Sequence, residues 1–222
     1  MVPQTSDLTS QSVSSLGSVR CLRNAVIGTT GLCNASCVHC PTNKASTAHL
    51  LRQPMPMDLF ERIIDELGRP AFQITGFLSF GLFGDGLLDP YVIERAQLMK
   101  QKLSKVILHV NTNGAAYSRS KHLPLFDLVD VLALHLESLD PRIYDFLMQP
   151  LRAERVFPKV EQILNDFPSK VFIAVPVSRL NIEERNTIYC HFMERGAYGV
   201  FFAPLRGYPE TTLGKTVYLL ES

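Results

Sequence analysis

The stretch that decides the fold is FQITGFLSF (72–80), followed by GLFGDGLLDP (81–90) and YVIERAQLMKQKL (91–103). The first run is apolar, with little polar alternation, as in a strand covered on both faces of a parallel sheet. Gly81, Gly84 and Gly86 then mark a turn. Asp89-Pro90 reads as an N-cap with proline at the first helical position, opening a helix to about Leu103. Strand, glycine turn and capped helix make one βα unit.

The same grammar recurs on both sides. Ala25–Thr29, Lys105–Asn111, Asp130–Leu136, Lys170–Val177 and Tyr198–Ala203 predict five more buried strands. In Asp58–Leu67 the residues Leu59, Phe60, Ile63, Ile64 and Leu67 mark one helical face. Asp140-Pro141 repeats the cap-and-proline signal. Val156, Phe157, Val160, Ile163, Leu164 and Phe167 line another apolar face. Asn181 with Glu184 resembles a capping box before a helix ending at Gly196. Six strands separated by helical sequence predict right-handed crossovers around a parallel sheet. Six units give an α/β fold of the partial (β/α)6, TIM-like kind. An open doubly wound sheet is the alternative that periodicity leaves standing.

Composition bounds the function. Of 222 residues, 46% are hydrophobic and 19% charged, which excludes a disordered or collagen-like chain. Lys+Arg 22 against Asp+Glu 21 leaves a net charge of +1, so no basic field draws nucleic acid or an anionic membrane. No apolar stretch approaches the ~18–20 residues of a spanning helix. The Ser/Thr-rich residues 1–20 have neither the apolar core of a signal peptide nor the arginines of a transit peptide. They read as a disordered lead-in to a single domain over 21–205, with a tail over 206–222 and no room for a second sizeable domain.

Three of the five cysteines fall within eight residues, in GTTGLCNASCVHCP (28–41), as Cys33, Cys37 and Cys40. An odd total with this clustering is not a secreted disulfide framework. It suggests a metal site in a reducing compartment, hence a cytoplasmic protein. The segment directly follows the first strand, placing it on the face where α/β barrels do chemistry. Three thiolates can hold three irons of a [4Fe–4S] cluster and leave the fourth open, a poor design for simple electron transfer but a good one for binding a small molecule. A zinc site that recruits His39 or His49 is the competing reading. Cys21 and Cys190 read as ordinary small hydrophobes.

On these residues the sequence resembles the radical SAM (S-adenosylmethionine) family, whose signature is C-x3-C-x2-C on the loop after strand one. Gly84-Asp85-Gly86 looks like that family's Gly-Glu-Pro loop, which anchors the methionyl amine, with Asp85 one methylene shorter than the family's Glu and Gly86 in place of its Pro. Asn111-Thr112-Asn113-Gly114 is similar to its Thr-Asn-Gly. Glu137-Ser138-Leu139-Asp140 looks like its Ser-x-Asp segment. His39 stands where the family often has an aromatic ring near the adenine. The resemblance covers most of residues 24–205 and carries no cysteines for auxiliary clusters, so the chain reads as a minimal enzyme or one cut before such a module.

The resemblance implies a [4Fe–4S] cluster on Cys33, Cys37 and Cys40, and S-adenosylmethionine near His39, Gly84, Asp85, Asn113 and Ser138. It implies reductive cleavage to a 5′-deoxyadenosyl radical that takes hydrogen from an unidentified small-molecule or peptide substrate. A flavodoxin- or ferredoxin-type one-electron donor is the implied partner. The residues alone also allow plainer roles: a tight turn at Gly84–Gly86, a left-handed turn residue at Asn113 and a helix cap at Ser138. His109 and His135 sit inside strands, as core or lumen residues, and Arg206 and Tyr208 follow the last strand. A non-catalytic or truncated module binding zinc or an iron–sulfur cluster is the alternative function. A thiol redox protein is disfavoured, because Cys37-Val38-His39-Cys40 lacks a thioredoxin-like setting.

Overall fold

The computed structural model describes residues 19–205. Residues 1–18 and the tail with Arg206 and Tyr208 lie outside the described residues. In chain order the elements are β1 (Arg20–Leu22), β2 (Ala25–Ile27), α1 (Met57–Leu67), β3 (Phe72–Ile74), β4 (Phe77–Phe80), α2 (Val92–Lys102), β5 (Ile107–Thr112), α3 (Arg119–His122), β6 (Val131–His135), α4 (Pro141–Leu147), α5 (Ala153–Asp166), β7 (Val171–Val177), α6 (Arg185–Glu194) and β8 (Gly199–Pro204).

Six strands form one parallel sheet in the order β2-β4-β5-β6-β7-β8. Spatial order follows chain order throughout. A doubly wound sheet reverses direction at a switch point, and this one has none. The fold is a partial (β/α)6 barrel with both edges open among the described residues.

Alternation along the strands separates two faces. Leu78, Phe80, Leu108, Val110, Leu132, Leu134, Ile173 and Val175 point to the helices and are buried. There they meet Phe60 and Ile64 of α1, Ala96 and Met99 of α2, Ile163 of α5 and Phe192 of α6 in one core. Each such side chain contributes about 1.5–3 kcal/mol by leaving water. By register, Val26, Phe77, Ser79, His109, Asn111, Ala133, His135, Phe172 and Phe201 share the opposite, inner face. Phe77 stacks on His109 at 4.2 Å between centroids. Both strand histidines are therefore inner-face residues.

Several sequence expectations need correction. The run 72–80 is two strands, because the chain bends at Thr75-Gly76. A Cβ at Gly76 would run into the Arg23 carbonyl oxygen. β3 pairs with β1 in a separate two-stranded parallel sheet, and only β4 enters the main one. Pro90 does not open a helix. Asp89 accepts the Tyr91 N–H at 3.0 Å and α2 begins at Val92. The other Asp89 oxygen accepts Arg95 Nε–H at 2.8 Å in an ion pair with both side chains fully buried. Asp140-Pro141 behaves as read: Asp140 caps α4 through the Arg142 N–H at 2.8 Å. Asn181 and Glu184 form no capping box, since both side chains turn toward the loop after β6. Cys21 and Cys190 are exposed rather than packed.

Candidate cluster and nucleoside site

The loop after β2 carries Cys33, Cys37 and Cys40 across the C-terminal ends of the strands, and the loops after β4 and β5 and the end of α4 fasten it there. Asp85 N–H donates to the Leu32 carbonyl at 2.8 Å, and Thr42 Oγ1 donates to the Phe83 carbonyl at 2.6 Å. Asn113 Nδ2 donates to Asn34 Oδ1 at 2.8 Å. Val38 N–H donates to the Leu147 carbonyl at 3.0 Å. Within the loop, Lys44 Nζ donates to the Ser36 carbonyl and hydroxyl, both at 3.0 Å.

Gly84 owes its identity to this closure. A Cβ there would collide with the Thr30 carbonyl oxygen and come within 2.9 Å of that of Leu32. Asp85 beside it is buried, and its carboxylate is fully engaged. It accepts the Leu87 N–H at 2.9 Å, the Thr112 hydroxyl at 2.9 Å and the Asn113 N–H at 2.8 Å. Burial raises its pKa, and the bonds from Asn113, Thr112 and Leu87 offset only part of that rise. Asn113 also accepts the Ala115 N–H at 2.9 Å, in a turn closed by Gly114 at φ +79°. Ser138 is engaged too: its hydroxyl donates to Glu184 Oε1 at 2.6 Å and accepts the Asp140 N–H at 2.9 Å.

Other polar atoms on this face have no partner. Glu137 is 2% exposed, and its Oε2 makes no hydrogen bond. Its Oε1 lies 3.5 Å from His39 Nε2, while His39 Nδ1 and Thr29 Oγ1 are also unpartnered. Burial, then His135 and Lys44, hold His39 down to about 4, so its ring is neutral near pH 7. Burial raises Glu137 well above the usual carboxylate range. Buried polar atoms without partners are costly, so a cluster of them marks a place shaped for something else.

The thiols fit an iron–sulfur cluster by the same reasoning. Burial pushes Cys33 up to about 11, with Asp85 and Cys40 adding to the rise. Burial raises Cys37 further, helped by Glu137, Cys40 and Cys33. Burial holds Cys33 and Cys37 toward neutral thiols, and the positive charge of an iron–sulfur centre would offset that cost and let three soft donors bind as thiolates. Among the described residues no three of His, Cys, Asp or Glu converge as ligands of one ion would. A cubane asks for a different spacing, since each thiolate binds its own iron.

The Radical SAM superfamily profile matches residues 27–189. The chain belongs to the radical SAM superfamily. That match spans the cysteine loop and reaches α6, so it covers β4, β5, β6 and β7 whole and the last residue of β2.

Solved radical SAM folds agree. SuiB of Streptococcus suis, bound to S-adenosylmethionine, superposes with a TM-score of 0.70 at 17% identity, covering 86% of this chain and 42% of that one. Native anSMEcpe with bound AdoMet and Cp18Cys peptide gives 0.66 at 18%, over 89% and 55%. BtrN in complex with AdoMet and 2-DOIA gives 0.55 at 16%, over 71% and 58%. At these identities the likeness is one of fold. The chain spans about two fifths to three fifths of the length of these structures. No curated protein matches it significantly.

The sequence named the cysteines, Gly84, Asp85, Asn113, Ser138 and His39, and the structure brings all of them to one end of the sheet. It missed Glu137 as a site residue. The signal was a carboxylate one step beyond an apolar strand, in phase with the inner-face residues Ala133 and His135.

Proposed function

We propose that this chain is the core of a radical SAM enzyme, with Cys33, Cys37 and Cys40 holding a [4Fe–4S] cluster that leaves one iron open to S-adenosylmethionine. The observation that carries the reading is the convergence of the loops after β4, β5 and β6 on the three-cysteine loop. When bound, the pair supplies reductive scission of the sulfonium and a 5′-deoxyadenosyl radical.

The chain's own residues position and shield. Asp85 locks the loops after β4 and β5 together, so the Gly84–Gly86 backbone would be held rigid toward the methionyl end. Asn113 ties that frame to Asn34 beside Cys33. Ser138 and Glu184 brace the turn after β6, which presents Glu137. Glu137 and His39, with polar atoms to spare, meet the nucleoside or the substrate. The inner face carries apolar rings at Phe77, Phe172 and Phe201 on which a substrate would lie.

The substrate is a small molecule or a peptide that enters this face. The electron donor is a flavodoxin- or ferredoxin-type protein, and the free thiols suit a reducing, cytoplasmic setting. Among the described residues no helix is long and apolar enough to cross a membrane.

The test is anaerobic reconstitution with iron and sulfide, then incubation with dithionite and S-adenosylmethionine. Wild type should turn brown and release 5′-deoxyadenosine. The C33A/C37A/C40A variant should do neither. Bound zinc alone, or a cluster that yields no deoxyadenosine, would overturn the proposal in favour of a non-catalytic metal module.

A further inference from the structure

Two pairs of rings stand on the inner face. Phe77 and His109 occupy β4 and β5, and Phe172 and Phe201 occupy β7 and β8. The second pair is the more open. Its rings lie 6.4 Å apart between centroids with 27° between planes, and Tyr198 joins them at 6.5 Å from Phe172. Phe201 is 54% exposed and Tyr198 64%. Register keeps the neighbours small: Phe172 stands between Ala133 and Gly199, and Phe201 beside Ala174. A Cβ at Gly199 would come within 3.2 Å of Phe172 Cε2, so a side chain there would push the ring off β8. Rings bordered by alanine and glycine leave room for a flat guest, and clustered exposed rings mark a contact surface.

Charge on this face is as telling as shape. None of the strand positions in the inward phase is lysine, arginine, aspartate or glutamate. Lys170, one step before β7 in that phase, donates to the Val129 carbonyl at 2.9 Å and packs over the Phe126 ring. Past β6 the same phase reaches Glu137, a carboxyl. A phosphate or carboxylate lying on the strands would lose water and meet no cation, and an unpaired charge taken out of water is costly. An uncharged ring escapes that cost, and ring against ring gains attraction beyond simple burial. His135 shares the row of Phe201, with Ala174 between them, and its field reaches His39 beside Cys40. The ring row therefore runs into the cysteine-loop site.

We propose that the substrate presents an uncharged aromatic group and that this group lies against Phe172 and Phe201. The inference rests on the function proposed above, since it names what that enzyme acts on. The chemistry recognised is a neutral ring, carried by a free small molecule or by a peptide side chain. Phe172 and Phe201 are then specificity-determining residues, and the absence of a cation beside them is what turns anionic relatives of the substrate away.

The test uses the full chain, reconstituted with S-adenosylmethionine and also cofactor-free, and N-acetyltryptophanamide as the probe. The chain has no tryptophan, so the anisotropy of indole fluorescence reports the probe alone. It should rise saturably as protein is added. N-acetyltryptophan, which carries a carboxylate, should bind at least roughly fivefold more weakly, and N-acetylleucinamide should compete poorly. F201A should lose at least roughly fivefold in affinity. F201L, apolar but without a ring, should recover little of it, and F201Y most. 3-Methylindole separates the two sources: weaker binding than the amide places the ring on a peptide, equal binding on a free molecule, and both uphold the aromatic class. Equal affinity for amide and carboxylate, unchanged affinity in F201A, or no saturable rise in either form would overturn the proposal. A wild-type dimer that F201A dissolves would also overturn it, assigning the rings to a second copy. Ring binding by a chain that releases no 5′-deoxyadenosine would instead refute the radical reading and leave the aromatic site standing.

Discussion

Two buried carboxylates stand at the same end of the sheet, and they have opposite fates. Asp85, after β4, receives hydrogen bonds from Leu87, Thr112 and Asn113. Glu137, after β6, keeps one oxygen without any partner and faces a neutral His39. The first is a bolt in the frame. The second is a vacancy in the hydrogen-bond pattern, held open by a backbone that Asn181 fastens from beneath. The lesson is that a carboxylate in a motif position can be spent on architecture, while one at the edge of another motif keeps an oxygen free.

The largest break in this contrast comes from D85A. It strands three buried donors at once, and unfolding by urea without cofactors should show a loss of about 3 kcal/mol or more. A D85A protein as stable as wild type would mean that the carboxylate is not a structural bolt. E137Q should do the reverse. It replaces a carboxyl whose ionisation burial disfavours with an amide of the same size, so the midpoint should stay or rise. Equilibrium dialysis of the reconstituted protein should show S-adenosylmethionine bound roughly tenfold more weakly, if the nucleoside is what Glu137 meets. Unchanged affinity would assign Glu137 to the substrate instead.

A smaller, pH-dependent effect sharpens the frame side. His122 Nδ1 accepts the Ser118 N–H at 3.0 Å, and its Nε2 lies 3.1 Å from the Leu87 carbonyl, which fixes a neutral tautomer. Burial, with Lys121 contributing, lowers it to about 4. Above the ordinary histidine range the folded and unfolded states are both neutral here, so stability is at its full value. As pH falls from about 6.5 toward 4, the unfolded chain takes up a proton that the folded one refuses, and stability drops. Urea midpoints between pH 4 and 7 should show that slope in wild type and a flatter one in H122Q.

Much of this was legible beforehand, for physical reasons. Cys33, Cys37 and Cys40 announce themselves because thiols so close have few structural uses. Parallel strands followed from the alternation of apolar runs and helices, but their order, with no switch point, could be seen only in the sheet. The split at Thr75-Gly76 was hidden because both halves are apolar, and a glycine inside such a run was the one sign of a bend. The partners of Asn181 and Glu184 were misread because local spacing suggested a cap, while a turn 44 to 46 residues earlier claimed their side chains. Met148 at the back of Cys37 left no trace in sequence at all, since 111 residues separate them.

The sequential strand order has one more consequence. The anchors of the cysteine loop come from the ends of β4 and β5 and from the end of α4, whereas β7 and β8 contribute Phe172 and Phe201 to the far wall. On the function proposed above, radical generation and cargo selection would be housed in separate parts of the sheet. The far wall could then be resculpted for a new guest while the ignition chemistry stays untouched.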